Sequence, residues 1–191
     1  MYVIVLSGFI ATLPMDTINP LYKTINREFA VKRWLGSDAG QIEWNKKEAA
    51  YLSQIVKALD EQGIKLLVGS DAGVMYMPAG ASTHREIELL VEAGVPPLTV
   101  LQAATINAAQ ALGVANDYGS VAVGKAADLV IINANPLQEL HALSQPRAVV
   151  KAGQWVSRKE LQALKESAKN PSSFYISFGR LLQDVLSRAF G

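Results

Sequence analysis

Apolar positions along the chain change their period several times, and each change marks an element. Residues 2–13 (YVIVLSGFIATL) run without a charge, are rich in β-branched and aromatic side chains, and stop at Pro14. That pattern predicts one buried strand, bent at Gly8. The stretch 15–42 is mixed and broken by Pro20, Gly36 and Gly40, so it reads as a long connection with a short helix near 21–29. From 45 to 62, Leu52, Ile55, Val56 and Leu59 recur at i, i+3, i+4 and i+7, which predicts a helix that Gly63 stops. Ile64 to Val68 (IKLLV) come next as a second strand. Strand, connection, helix, glycine, strand is a βαβ unit, and such units build parallel sheets.

Beyond Val68 comes Gly69-Ser70-Asp71-Ala72-Gly73 and a loop with Pro78 and Gly80. Thr83 and Glu86 match a capping box opening a helix whose apolar face is Ile87, Leu90 and Val91, with Gly94 as its end. Pro97 stands where a first-turn proline is tolerated and opens an alanine-rich helix, Leu98 to Leu112, stopped by Gly113. From 119 the period shortens. Val121 and Val123, Leu129 to Ile132, Ala148 to Val150, and Trp155-Val156 read as short strands of a small β-structure, separated by Gly124, Asn135-Pro136 and Gly153. The tail, 158–190, reads as two helices divided at Asn170-Pro171. Phe174, Phe178, Leu181, Leu182, Val185 and Leu186 form one stripe in the second, suited to packing on the core or to a homo-oligomer contact.

Composition narrows the classes. The chain has 191 residues, 18 basic against 17 acidic, no cysteine and two histidines, with a net charge of +1. Near-neutral charge without a Lys/Arg run leaves no footprint for nucleic acid. No segment reaches the roughly 18 apolar residues of a membrane span, and a basic face around Arg180 and Arg188 is too sparse for a membrane surface. The opening run is apolar but lacks a basic n-region and a small-residue cleavage site, so a buried strand is a better reading than a signal peptide. Without cysteine there is no disulfide framework, thiolate zinc site or cysteine nucleophile. Two histidines cannot build a cage of three or four imidazoles. Localisation is left open.

The pentapeptide GSDAG occurs at 36–40 and at 69–73, but the residues after the two copies share nothing (QIEWN against VMYMP), so the chain carries no repeat array. Context separates the two aspartates. Asp38 comes after Lys32-Arg33-Trp34-Leu35 and reads as a solvated loop residue. Asp71 ends an apolar parallel strand and enters a glycine-rich loop, where α/β sheets and barrels build their sites; the competing reading is a turn-forming aspartate. His84 lies in the first turn of its helix, either facing that cleft or on the surface, and His141 reads as an exposed bystander. There is no G-x-S-x-G elbow, Walker motif or dinucleotide fingerprint.

In order, KLLVGSDAG, THREIELLVEAGVPP, LQAATINAAQALG, GSVAVGKAADLVIINANPL and AVVKAGQWV resemble the last third of the metal-dependent amidohydrolase superfamily, in its imidazolonepropionase-like and prolidase-like branch. The match covers about Ile64 to Val156; Pro96 stands where the family prefers Ser or Thr. The resemblance implies an α/β fold. Residues 1–115 would be the C-terminal portion of a (β/α)8 TIM-like barrel, with strands seven and eight at 2–13 and 64–69. Residues 116–157 would be the C-terminal part of a small β-domain, and 158–191 a helical tail. It further implies one or two divalent metal ions, Zn²⁺ foremost, that activate water against an amide, lactam or dipeptide-like small-molecule substrate. Asp71 would be both metal ligand and proton shuttle, and His84 a substrate contact or a residue that shapes the cleft.

The departure from the family is as informative. Its other metal ligands lie after strands one, four, five and six, and a barrel takes about 250 residues. The expectation is therefore a portion of a larger polypeptide that alone binds no catalytic metal and hydrolyses nothing. The alternative is a non-catalytic relic or interaction module that works through the apolar helix 174–186.

Overall fold

The computed structural model describes residues 2–5, 39–72 and 79–170, and the side chains among them at 40 and from 42 onward. Two small sheets organise them. Strand β1 (Tyr2–Val5) pairs in parallel with β2 (Lys65–Val68), Tyr2 opposite Lys65 and Val5 opposite Val68. Between them in sequence runs helix α1 (Ala39–Glu61), so the parallel pair and the helix before its second strand are those expected of a βαβ unit. The remainder of the 2–13 strand with its bend at Gly8, the helix near 21–29, Asp38, most of the 74–82 loop and the 174–186 stripe lie outside the described residues.

Helix α1 begins six residues earlier than the apolar period predicts, and its inward stripe is narrower. Val56 is buried and Leu59 packs on the core, whereas Leu52 and Ile55 stay exposed. Length explains this. Twenty-three residues of helix reach about 35 Å, while the four-residue β2 they pack on spans about 13 Å. The helix closes on a left-handed Gly63 (φ 71°), which lets the Ile64 N–H turn back to the Leu59 carbonyl at 3.0 Å and send the chain directly into β2.

The core gathers on β2. Leu66 has no exposed surface and shares one buried cluster with Val56 of α1, Ile87 and Leu90 of α2 (Ala81–Glu92), Val95, and Val100 and Ala103 of α3 (Pro97–Ala103). Burying one such side chain contributes about 1.5–3 kcal/mol. Pro97 opens α3 as expected. The predicted single helix 98–112 is instead two, because the chain turns at Ala104-Thr105 before α4 (Ile106–Ala111). The Thr105 hydroxyl donates to the Leu101 carbonyl at 2.6 Å, a side-chain bond that competes with helix continuation.

A second correction concerns the start of α2. It begins at Ala81 with Gly80 as its cap and no side-chain capping bond, so Thr83 and Glu86 are no capping box. Glu86 is drawn inward to 2% exposure beside the buried Ser82. The reciprocal cap occurs at the last described helix, α5 (Arg158–Ala168). There Ser157 Oγ accepts from the Glu160 N–H, and Glu160 Oε2 accepts from the Ser157 N–H at 2.7 Å.

The small β-structure is an antiparallel meander of β3 (Leu129–Ile131), β4 (Ala148–Lys151) and β5 (Gln154–Ser157). Three of the four predicted strands are present. Val121 and Val123 are not strands but exposed loop residues, because the segment is occupied by turns around Gly119 and Gly124. Ala152 and Gly153, both with positive φ, make the two-residue hairpin loop of β4 and β5. The Asp128 carboxylate braces that loop, accepting from Lys151 Nζ at 2.5 Å and from the Ala152 N–H at 2.6 Å. Those two donors hold its carboxyl below the usual range. Leu140 and Leu143, on a 3-10 turn (Leu140–Ser144) between β3 and β4, pack back on the β2 core.

Candidate functional site at the carboxyl end of the second strand

Beyond Val68 the sheet ends and the chain passes through Gly69, Ser70 and Asp71. Upstream, the strand is fixed where it is deepest: Asn107 of α4, 9% exposed, donates its amide to the Leu66 carbonyl at 3.2 Å. Downstream, Asp71 is exposed and adopts φ 49°, one of two positive-φ non-glycine residues described. Aspartate tolerates this left-handed region better than most side chains. A carboxylate at a strand end, on a conformation the chain does not relax, is an arrangement typical of sites.

The first turn of α2 meets this segment through hydroxyl groups. Ser70 Oγ lies 3.0 Å from Ser82 Oγ and 3.4 Å from Thr83 Oγ1. Asp71 is next in the chain to Ser70, and His84 to Thr83, so these contacts bring together the two backbone stretches that carry the candidate site residues. His84 is half-buried, and burial pushes its pKa below the ordinary value. Glu88, one turn along, opposes that shift, and the charge of His141 adds to it. His141 is exposed, as expected, on the 3-10 turn, where its ring contacts Gln145 Nε2 at 3.1 Å. Its electrostatic reach to His84 was not legible from the sequence, since 57 residues separate them. Nor were Ser82, Glu86 and Asn107, three buried polar side chains whose only sequence signal is a polar residue on an otherwise apolar helix face.

The donors suit a hard or borderline divalent cation only in part. Asp71 offers an exposed carboxylate, and a catalytic zinc site needs three protein ligands. Among the described residues no three His, Cys, Asp or Glu side chains converge to hold one.

The model of the amidohydrolase family matches residues 40–156, more than half of the chain. The chain belongs to that family. An imidazolonepropionase of Shouchella clausii is 34% identical over 103 residues, which are 52% of this chain and 23% of the relative. Among solved structures, bottromycin amidohydrolase superposes with a TM-score of 0.70 at 29% identity, covering 87% of this chain and 38% of that one. A Bifidobacterium longum protein with a prolidase assignment gives 0.57 at 38% identity, covering 70% of this chain and 34% of its own. The chain thus spans between about an eighth and two fifths of the length of the relatives it resembles. The α/β architecture with its parallel strand pair belongs to the TIM-barrel class of that family, which hydrolyses C–N bonds and generally carries divalent metal ions.

Proposed function

We propose that this chain is the C-terminal portion of a metal-dependent hydrolase of amide, lactam or dipeptide-like bonds, with Asp71 as its metal ligand and proton carrier. The observation that carries the reading is Asp71 itself. It stands exposed at the carboxyl end of a parallel strand, in a left-handed conformation, within the span matched by the family. In this reading β1 and β2 are the last two strands of a barrel, residues 116–157 are the C-terminal share of a small β-domain, and 158–191 are a helical tail that can join subunits.

Asp71 would hold one or two divalent ions, Zn²⁺ foremost, together with ligands contributed by polypeptide outside this chain. Such an ion supplies Lewis acidity and brings the pKa of a water to about 7. The Asp71 carboxylate accepts the proton that the attacking water gives up. It then delivers that proton to the departing nitrogen, which is too basic to leave as an anion. His84, whose pKa burial lowers, can present a ring nitrogen to a polar substrate group.

Two measurements test this. In the full-length polypeptide, Asp71→Asn keeps a side chain that tolerates positive φ but cannot take up a proton. Turnover of N-acyl amino acids, dipeptides and lactams should fall by at least about a hundredfold, the lower bound for general acid–base groups. Retained turnover refutes the role. The 191-residue chain alone, supplied with Zn²⁺, should hydrolyse none of them; metal-dependent turnover would refute the reading of an incomplete enzyme.

A further inference from the structure

The peptide joining Ser70 to Asp71 is held from one side by hydroxyl groups. Ser70 Oγ sits 3.0 Å from Ser82 Oγ, and Ser82 is 4% exposed. Helix α2 is itself immobilised, because Ile87 and Leu90 are buried in the β2 core, so the Ser82 hydroxyl is a fixed point. One turn along, on the same face, Glu86 is 2% exposed, continuing a polar stripe along a helix side that packing alone would fill with alanine or leucine. Asp71 meanwhile holds φ 49°, a left-handed conformation that side chains other than glycine adopt at a cost. Left free, the segment would relieve that cost by rotating back toward the extended region. The hydroxyl contact one residue upstream opposes that rotation.

We propose that Ser70 and Ser82 form a positioning pair whose hydroxyl contact fixes the backbone conformation that presents the Asp71 carboxylate. The inference rests on the reading of Asp71 as metal ligand and proton carrier. Neither serine touches the reacting atoms, so both act through the aspartate. A shared contact has a particular signature, since removing either end removes the whole of it.

The test uses the full-length polypeptide with Ser70→Ala, Ser82→Ala, the double variant and Ser70→Thr. Zn²⁺ affinity is read by competition with a chromophoric chelator, and kcat and KM are read separately. Each alanine variant should weaken Zn²⁺ binding and lower kcat by about tenfold, the scale on which outer-sphere partners act, with KM unchanged. The double variant should lose less than the product of the two single losses, and Ser70→Thr, which keeps the hydroxyl, should recover both readouts. Should Ser82→Ala fail to fold, the half-buried Ser70 pair of variants decides alone. Unchanged Zn²⁺ affinity and kcat in Ser70→Ala overturn the proposal, as do losses that multiply in the double variant. Inactive Asp71→Asn beside unaffected Ser70→Ala would remove the pair and leave the aspartate's role standing. Active Asp71→Asn with full Zn²⁺ affinity would remove both.

Discussion

Gly119, in the loop after α4, lies close against the helix. A Cβ at this position would lie 2.6 Å from the Ala109 Cβ, 3.0 Å from the Ile106 Cα and 3.1 Å from the Thr105 carbonyl oxygen. Non-bonded carbons settle at about 3.5–4.0 Å, and two of those three atoms are backbone, so either loop or helix has to move. Gly119→Ala therefore combines two costs. Its φ of 86° costs an alanine about 1–2 kcal/mol, and overpacking adds about 1–3 kcal/mol. Gly113→Ala separates the two, because φ there is 73° and no atom lies within 4 Å of the added carbon. Urea unfolding followed by circular dichroism should show Gly113→Ala losing about 1–2 kcal/mol and Gly119→Ala losing about 1–3 kcal/mol more. The damage should also reach the site, because α4 carries the Asn107 amide that holds the Leu66 carbonyl. Equal losses for the two variants would refute the close approach and this coupling with it.

Two further predictions come from local geometry. Ala152 is the first residue of a two-residue hairpin loop with φ 50°; Ala152→Asn, which creates the favoured Asn-Gly pair, should raise the urea midpoint by the equivalent of about 1 kcal/mol, and no rise would refute the turn assignment. His84 has a folded-state pKa below its unfolded value because it is buried. The unfolded chain therefore binds the proton more readily, and stability should fall as pH drops through the unfolded value of about 6.5; a His84→Gln chain with the same slope would refute it.

The apolar period revealed most of the fold because the residues facing β2 are those that burial demands: Leu66, Ile87, Leu90 and Val100. It failed where local signatures are ambiguous without tertiary contacts. Thr83…Glu86 and Ser157…Glu160 share the same S/T-x-x-E pattern. Only the second forms a capping box, because core packing around Ile87 and Leu90 pulls Glu86 inward while Glu160 remains at the surface. Val121 and Val123 alternate like a strand, but find no neighbour to pair with beside the turns that flank them. At the candidate site, Asp71 was legible from its place after an apolar strand. The hydroxyls that meet beside it were not, since Ser70 and Ser82 are joined across a loop and carry no motif.

The pairing of β1 with β2 bears on how the molecule is made. Tyr2 and Lys65 face each other across the chain although 63 residues separate them, whereas β3, β4 and β5 find their partners within 21 residues (Leu129 opposite Val150). The entropy of closing the longer loop has to be met before the parallel contacts return anything. The meander and the helices around β2 are thus expected to form first and β1 to dock last. Until it does, β2 has no strand partner among the described residues and presents open backbone groups to neighbouring chains, and there association during synthesis would begin.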